Sequence, residues 1–313
     1  MNRCILLINQ AAGASQRGQD PAAIAKDVES AFRAQGHEIT TRLVGPGEIE
    51  SRIREALAQD PDVLIIGGGD GSVSAAAGII AESRTALGIL PMGTFNLAAR
   101  DLGIPLDYAK AARFLAQSPS FPIDVLDVNG RTCLCSTVFG FYPQFASIFE
   151  NREANRGQWW RKVIGLISRV STAFRKARAL RLSWESPDGS GNVRTKFSVF
   201  VPGRYRNAAG IIPARTEFTS GKLTAYIGRY RHTSAALRGM LDYTMGRQDL
   251  NPELSVFSTP EITLRAKRRR HAKIMLDGEI LKLRFPIRLR IRPRCLLVLG
   301  DPALLENHNP PSP

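Results

Sequence analysis

The stretch DVLIIGGGDGSVSAAAGIIAES, residues 62–83, decides the fold of the first part of the chain. Its apolar run Val63–Ile66 has the pattern of a strand that is buried on both faces of a parallel sheet. Three glycines, Asp70, Gly71 and Ser72 follow, and the Ala-rich residues after them predict a helix. Glycines let backbone N–H groups approach a ligand, and the positive end of a helix favours an anion. We therefore predict a phosphate site at this turn.

Asp70 is unexpected at such a turn, because its carboxylate repels a phosphate. Its presence is explained if it binds a metal ion or accepts a proton. The alternative is an ordinary strand-to-helix turn with a capping Asp, and a glycine-rich turn alone does not decide between the two.

A second strand–loop–helix unit follows in LGILPMGTFNLAARDLGIP, residues 87–105. Leu87–Leu90 is a short apolar strand and Pro91–Thr94 is a turn. Asn96 is the predicted N-cap of a helix that runs to Leu102.

The motifs GGGDGS and PMGTFNLAARDLGIP together resemble the catalytic domain shared by diacylglycerol kinases, bacterial lipid kinases and sphingosine kinases. Each motif alone is modest evidence, but the pair in this order is specific. The resemblance implies an ATP- and Mg²⁺-dependent kinase that phosphorylates a lipid hydroxyl, with diacylglycerol as the leading substrate. It also implies that the nucleotide is bound by Asn9, Gly13, Gly67, Gly68, Gly69, Asp70, Gly71, Ser72, Gly93, Thr94 and Asn96.

The first predicted strand, Cys4–Ile8, ends in Asn9-Gln10-Ala11-Ala12-Gly13. Asn9 and Gly13 match the opening loop of the family, whereas Gln10 replaces the usual Pro, and Ala14 stands where many members have Lys. Strands and helices then alternate, which predicts a parallel sheet that binds ligands at the carboxyl ends of its strands. Asn9, Asp70 and Thr94 follow three such strands, so we expect them in one crevice.

Beyond Pro122 the sequence indicates short antiparallel strands separated by turn signals such as Asn129-Gly130. The predicted fold class is an α/β N-terminal domain with a parallel sheet, like that of NAD kinases and diacylglycerol kinases, plus a mainly antiparallel β C-terminal domain. The predicted parts are a nucleotide-binding domain over residues 1–122, a β-rich domain over 123–300 with helices at 158–179 and 233–246, and a tail over 301–313.

The second domain contains the sequence Met275-Leu276-Asp277-Gly278-Glu279. From the residues alone, Asp-Gly is a hairpin turn. In the family, an Asp-Gly-Glu at the end of a strand faces the nucleotide, and its acidic residues are taken to accept the proton of the lipid hydroxyl. The resemblance therefore implies that Asp277 and Glu279 are candidate bases; in a regular strand both would project from one face.

Two further carboxylates are implied by the resemblance. Asp70 holds Mg²⁺ or completes the acidic network, and in sphingosine-kinase-like members the corresponding Asp is itself the suspected base. Asp124 matches another acidic family position and supports the same metal network; alternatively it is a surface residue. The residues 219–221 read Thr-Ser-Gly where an acidic Asp-Gly is expected, so we predict that the structural magnesium site of some bacterial members is missing.

The net charge of +15 and the pI near 10.3 favour an anionic partner. The basic segment 152–181 contains Trp159 and Trp160, and residues 265–273 form a second basic run. Such segments suit an anionic membrane surface. We expect no nucleic-acid partner, because no nucleic-acid motif accompanies the charge. The alternative is a solvated basic face on a core helix.

The composition is typical of a globular protein, with 43% hydrophobic residues. Neither a transmembrane-length apolar run nor a signal peptide is evident, and the four scattered cysteines are expected to be reduced. We expect a cytoplasmic, peripherally membrane-associated protein of undetermined oligomeric state. Three other functions stay open: a kinase of sphingoid bases or other lipids, favoured by Leu97 where bacterial diacylglycerol kinases usually have Asp; an NAD kinase; and a catalytically degraded relative that binds membranes or nucleic acid.

Overall fold

The computed structural model describes residues 2–12, 20–140, 179–206, 214–230, 232, 234–235, 251–267 and 269–306. The chain forms two compact units. Unit 1 comprises Met1–Cys135, Arg215–Gly221 and Arg292–Pro313, and unit 2 comprises Ser136–Ala214 and Lys222–Ile291.

Unit 1 is built on the predicted parallel sheet. Its strands lie in the order β2-β1-β3-β4, and the end of β18 continues the sheet in parallel with β4 through Val298 and Leu87. The central strands are apolar along their whole length because both faces are covered, which is the burial pattern of a parallel sheet. The strands are β1 Arg3–Asn9, β2 Glu38–Val44, β3 Val63–Gly68, β4 Ala86–Pro91, β5 Ser120–Val128, β6 Arg131–Cys133 and the second half of β18 Ile287–Leu299.

The helices of unit 1 bury one face each. In α1, Asp20 accepts a hydrogen bond from the backbone N–H of Ala22, and Ile24, Val28 and Phe32 form the buried stripe expected of a helix at this spacing. The helices are α1 Pro21–Ala34, α2 Ile49–Leu57, α3 Asp70–Ile80, α4 Leu97–Asp101, α5 Tyr108–Gln117 and α6 Ala303–Glu306.

The division of the chain differs from the predicted domain boundary. Residue 122 lies inside β5, which pairs with β6 and β18, and unit 1 continues to Cys135. The apolar segment 133–138 is divided between two strands, because Leu134 and Cys135 are buried in the core of unit 1 whereas Ser136 begins unit 2. Residue 301 begins a turn into α6 rather than a frayed tail.

Unit 2 is antiparallel, as predicted. One sheet has the order β14-β13-β10-β7-β16-β17, and β9, β8, β15 and the first half of β18 lie side by side in a second antiparallel group. The segments Gly189–Thr195 and Phe197–Pro202 are separate strands, and at the break between them the Thr195 hydroxyl donates to the carbonyl oxygen of Gly228 at 2.7 Å. The strands are β7 Thr137–Gly140, β8 Leu180–Ser186, β9 Gly189–Thr195, β10 Phe197–Pro202, β11 Tyr205–Arg206, β12 Ala214–Arg215, β13 Leu223–Gly228, β14 Leu254–Thr259, β15 Glu261–Ala266, β16 His271–Leu276 and β17 Glu279–Arg284.

The cysteines carry no disulfide in the part of the chain that the structure describes, as predicted. Cys4, Cys133 and Cys135 are buried and Cys295 is partly buried. Burial raises the pKa of the Cys4 thiol to about 11, and the nearby carboxylate of Asp62 adds to the increase. Among the described helices, none combines the length and hydropathy needed to cross a bilayer.

Candidate active site

Three parallel strands of unit 1 end side by side. Ile8 of β1, Gly67 of β3 and Leu90 of β4 lie in one row of the register. The loops after these strands are therefore neighbours at the carboxyl edge of the sheet, where α/β folds bind their ligands. The predicted site residues at this edge are Asn9, Asp70 and Thr94.

A side-chain contact joins the first two of these loops. Nδ2 of Asn9 donates to Oγ of Ser72 at 2.9 Å, and Oδ1 of Asn9 accepts from the backbone N–H of Ala11 at 3.0 Å. Ser72 is buried in the first turn of α3. Both polar ends of the Asn9 side chain thus have partners within the protein, and the residue fixes one loop against the other.

The glycines of this edge are required by close packing. A Cβ on Gly68 would lie 2.8 Å from Cβ of Ser72, and one on Gly67 would lie 2.9 Å from Sδ of Met92. A Cβ on Gly93 would lie only 2.5 Å from the Cα of Gly69. The β3–α3 and β4–α4 loops therefore touch backbone to backbone, which only glycine permits.

The N-terminus of α3 lies at the same edge. Asp70 is its first residue, Gly69 is the N-cap with an extended backbone, and in the described part of the chain no side chain caps this terminus. The first intrahelical bond runs from the N–H of Val73 to the carbonyl oxygen of Gly69 at 3.1 Å. The amides of the first turn, including Gly71 and Ser72, thus precede that bond and suit an anion.

Asp70 does not cap its own helix. Its Oδ1 accepts a 2.7 Å hydrogen bond from the backbone N–H of Leu97, the first residue of α4. Asp70 is half-buried, and this hydrogen bond holds its carboxylate in place. The capping alternative is wrong for α3, and the carboxylate instead ties the two loops together.

Asn96 stands at the N-cap position of α4 but does not act as the predicted cap. Its backbone is left-handed, with φ of 50°, and its side chain turns back to Gly93. Oδ1 accepts from the N–H of Gly93 at 2.8 Å, and Nδ2 donates to its carbonyl oxygen at 3.0 Å. Asn96 therefore closes the turn that leaves Thr94 exposed at its apex, while Asp70 takes the capping task.

Asp124 is a buried structural anchor and not a surface residue. It is 0% exposed; its Oδ1 accepts from the N–H of Arg294 at 2.8 Å and its Oδ2 from the N–H of Gly221 at 2.6 Å. It therefore tethers the segment 215–221 and the end of β18 to β5. Each carboxylate oxygen is engaged by a backbone amide, which accounts for its burial.

Sequence reasoning missed a buried arginine beside this aspartate. Arg215 is 4% exposed, and its guanidinium donates to the carbonyl oxygens of Asp124, Glu217 and Phe218 at 2.8, 2.9 and 3.4 Å. Its backbone N–H donates to Oδ1 of buried Asp101 at 3.3 Å. An arginine in a basic chain gives no sequence signal for burial, so it could be found only from the fold.

In unit 2, Asp277 and Gly278 are the two-residue turn between β16 and β17. Their φ values are 45° and 95°, and Leu276 pairs directly with Glu279, so the turn is of the hairpin type that favours Asp-Gly. Asp277 is 3% exposed and forms two hydrogen bonds of 3.0 Å with Ser136. The backbone N–H of Asp277 donates to the carbonyl oxygen of Ser136, and the backbone N–H of Ser136 donates to Oδ1 of Asp277.

Glu279 differs from its neighbour, because it begins β17 and its side chain is exposed. The expectation that both carboxylates project from one face of a regular strand is therefore wrong, since Asp277 lies in the turn and has a left-handed backbone conformation. The structure places a buried, tethered carboxylate and an accessible one on the same hairpin.

Several predictions concern residues outside the described ones. These are the nucleotide contact at Gly13, the Lys position at Ala14, most of the basic segment 152–181 with Trp159 and Trp160, and most of the predicted helix over 233–246. In the described part of the chain, no three His, Cys, Asp or Glu side chains are grouped as metal ligands.

Comparison with known proteins supports the predicted resemblance. Residues 3–128 match the family model described as the diacylglycerol kinase catalytic domain. A protein of Pseudomonas aeruginosa named "Probable lipid kinase YegS-like" is 33% identical over 172 residues, which cover 52% of this chain and 54% of that protein. One of the same name from Pseudomonas syringae pv. tomato is 34% identical over 143 residues, 45% of this chain and 44% of that protein.

The chain spans about half the length of these curated relatives. Over nearly its whole length it is similar in fold to a solved structure described as a diacylglycerol kinase from Bacillus anthracis str. Sterne. The TM-score is 0.72 at 18% identity, and the similarity covers 96% of this chain and 98% of that one. The predicted fold class is thereby confirmed.

Proposed function

We propose that this chain, whose residues 3–128 match the model of the diacylglycerol kinase catalytic domain, is an ATP-dependent lipid kinase. The observation that carries the proposal is the edge where β3 and β4 end. There, among the described residues, the N-terminus of α3 has no side-chain cap, Gly93 packs against the backbone of Gly69, and Asp70 is half-buried. Phosphoryl transfer needs mainly positioning and charge neutralisation, and this edge offers both.

The backbone amides of Asp70, Gly71 and Ser72 would bind the phosphates, and the loop around Gly93 and Thr94 would cover them. Mg²⁺ would be held by Asp70 together with phosphate oxygens, which is the usual way in which proteins bind this ion. It would neutralise charge on the phosphates. Asp124 is a poor second ligand, because each of its oxygens already accepts from a backbone amide.

The base that takes the proton of the lipid hydroxyl is proposed to come from the β16–β17 hairpin. Glu279 is exposed and can approach a substrate, whereas Asp277 is fixed to Ser136 and would act by positioning the turn. Asp70 is the other candidate, as in sphingosine-kinase-like relatives. A carboxylate that orients the nucleophile is the expected group for this chemistry.

This metal arrangement predicts that Mg²⁺ binds only together with nucleotide. Titration calorimetry of the nucleotide-free protein should show no tight magnesium site, and addition of a non-hydrolysable ATP analogue should create one. A tight site in the nucleotide-free protein would contradict the proposed ligand set.

Diacylglycerol is the proposed substrate, and phosphatidic acid the product. The decisive experiment is incubation with γ-labelled ATP and a total lipid extract or, separately, NAD, followed by identification of the labelled product. Labelled phosphatidic acid supports the proposal; a labelled sphingoid base or another lipid would change the substrate, and labelled NADP would identify an NAD kinase. Absence of any labelled product would favour a relative that has lost catalysis.

We further propose that the protein acts at a membrane surface. The net charge of +15 supports an anionic lipid surface as the place where the substrate is met. Cosedimentation with anionic vesicles that weakens with salt is the expected result.

A further inference from the structure

One face of a sheet in unit 2 is strongly cationic because of its strand register. In β8 and β15, the buried residues Leu180, Leu182 and Leu264 alternate with residues that are exposed or partly exposed, and the neighbouring strand β9 is exposed or partly exposed up to Thr195. Residues directly opposite each other on antiparallel strands project from the same face. The register therefore determines which charges meet on the exposed side.

Three cations form one row across three adjacent strands. Arg181 of β8 lies directly opposite Arg194 of β9. On the other side of β8, the pairing of Ala266 with Leu182 places Lys267 next to Arg181, and the N–H of Lys267 donates to the carbonyl oxygen of Arg181 at 3.3 Å. All three side chains are exposed, and none forms an ion pair with a described residue.

The carboxylate of Glu185, on the same face, already forms an ion pair with another residue. Arg265, one row further along, pairs with Glu185 at 2.6 Å. Like charges directly opposite on neighbouring strands destabilise a sheet. The row Arg181–Arg194–Lys267 therefore has an electrostatic cost in the free protein that an anion placed on it would relieve.

The row lines an open groove of about 600 Å³. Ser183 and Asn192, which lie opposite each other in the next row, supply a hydroxyl and an amide. Guanidinium, ammonium, hydroxyl and amide groups are together the donors that bind phosphate oxygens. The residues of the described chain that line this groove include no aromatic ring, so it lacks a platform on which a nucleobase could stack.

Protection of a sheet edge does not explain the row. Charged side chains on an edge strand prevent pairing with another chain, and this would account for Arg194, since β9 ends its group of strands. Arg181, however, lies on β8, which is paired on both sides. A charge there protects no edge.

We propose that the row Arg181–Arg194–Lys267 with Ser183 and Asn192 is a binding site for the phosphate of an anionic lipid headgroup. The site holds unit 2 at the membrane surface on which the lipid substrate is dissolved. This inference rests on the proposed lipid kinase function for its choice of a lipid over a free phosphate. It adds a headgroup site made entirely by unit 2, apart from the nucleotide edge of unit 1.

The test is binding of the full chain to phosphatidylcholine vesicles with and without phosphatidylglycerol, measured by cosedimentation. The triple variant Arg181→Gln, Arg194→Gln, Lys267→Gln should lose about 100-fold in partitioning to the anionic vesicles. A matched triple variant on exposed residues of unit 1, Arg54→Gln, Arg84→Gln, Arg113→Gln, removes the same net charge. It should lose less than about threefold, because its charges do not share a site.

Two further measurements distinguish the sources of the phosphate. Inorganic phosphate and glycerol phosphate, at concentrations that leave ionic strength unchanged, should each compete only weakly with vesicles; full displacement by either would mean a site for a free phosphate and would overturn the lipid assignment. Equal losses in both triple variants would also overturn it, since net charge alone would then explain binding. Preferential retention of the wild-type chain on DNA at matched salt would do the same.

Failure of this site and failure of the proposed function give different results. The triple variant should phosphorylate a detergent-solubilised lipid at the wild-type rate, because that substrate needs no membrane docking. If the wild-type chain has no kinase activity but the triple variant still loses vesicle binding, the headgroup site is supported and the kinase function is contradicted. If the wild-type chain is an active kinase but the triple variant binds vesicles as well as the wild type does, the kinase function is supported and the headgroup site is contradicted.

Discussion

Asp70 and Asp277 each stand beside a glycine in a tight turn, yet the two turns hold their carboxylates in opposite ways. Asp70 begins a helix, is half-buried, and gives one oxygen to the N–H of Leu97. Asp277 lies in a left-handed hairpin turn, is 3% exposed, and is fixed by two hydrogen bonds to Ser136. The motif letters are similar, but the first aspartate is half-buried and the second is almost completely buried.

The comparison teaches that an acidic motif does not by itself identify a catalytic acid or base. What decides is how much of the carboxylate is engaged by backbone amides and how much reaches solvent. By this criterion we propose Asp70, which is half-buried, and Glu279, which is exposed, as the groups that take part in chemistry, and the buried Asp277 and Asp124 as groups that position the chain. Four predictions test this division.

The largest effect is expected at Asp70. Asp70→Asn keeps an oxygen that can accept from Leu97, so the fold should be retained, but it removes the charge that would hold Mg²⁺. We expect phosphoryl transfer to fall by about 10⁴-fold or more, with a thermal unfolding midpoint close to wild type. If stability were lost in step with activity, Asp70 would be a structural link between the loops and nothing more.

The second effect concerns the hairpin. Removal of a positioned general base costs about 10²–10⁴-fold in rate, so Glu279→Gln should lower turnover by this amount and leave ATP affinity nearly intact. Asp277→Asn retains the acceptor for Ser136 and tolerates the left-handed turn, but it removes the negative charge close to Glu279. Turnover should fall here as well, because we propose that the two carboxylates act as a unit.

The double variant of Asp277 and Glu279 should then be little worse than the more damaging single one. Steady-state kinetics with separate determination of ATP binding checks both statements. Near-wild-type turnover in both single variants would leave Asp277-Gly278 as an ordinary hairpin turn, and Asp70 would be the remaining candidate base.

The third effect is on stability and concerns the glycine that packs against the Asp70 turn. A Cβ on Gly93 would meet the Cα of Gly69 at 2.5 Å, so Gly93→Ala must displace backbone. We expect a loss of about 1–3 kcal/mol in the free energy of unfolding, measured by denaturant unfolding. ATP binding should weaken as well, since the two loops that would contact the nucleotide move apart.

The smallest effect is expected at the matching glycine of the hairpin. Gly278 has φ of 95° but no atom within 4 Å of an added Cβ, so Gly278→Ala meets only backbone strain. A loss of about 1 kcal/mol is expected, without a change in ATP binding. A larger loss at Gly278 than at Gly93 would mean that backbone strain outweighs the loop contact in unit 1.

Much of the N-terminal fold could be predicted from the sequence because its signals are local. Apolar runs such as Val63–Ile66 are strands that both faces of a parallel sheet bury, and the glycines after them mark the loops at the ligand edge. The helix stripe of Ile24, Val28 and Phe32 is equally local. These elements needed no knowledge of distant residues.

The errors have the opposite character, since each depends on residues far apart in sequence. Asn96 does not cap α4 because Asp70 does so, and nothing in the sequence near Asn96 shows this. Asp124 could have been a surface residue until Gly221 and Arg294 were brought to it. Buried Arg215 has the same explanation, because its partners lie in β5 and in its own loop.

The interleaved segments of the two units bear on how the protein is made. Unit 1 opens the chain, and β4 pairs with β3 there, but β4 acquires its second parallel neighbour, the end of β18, only from residues after Arg292. During synthesis one edge of the apolar β4 therefore stays unpaired until unit 2 has been translated. An unpaired strand edge is prone to pair with the wrong partner. A nonsense mutation shortly before β18 would consequently remove this neighbour of β4 and disturb the loop after β4, which we propose contacts the nucleotide, in addition to shortening the carboxyl terminus.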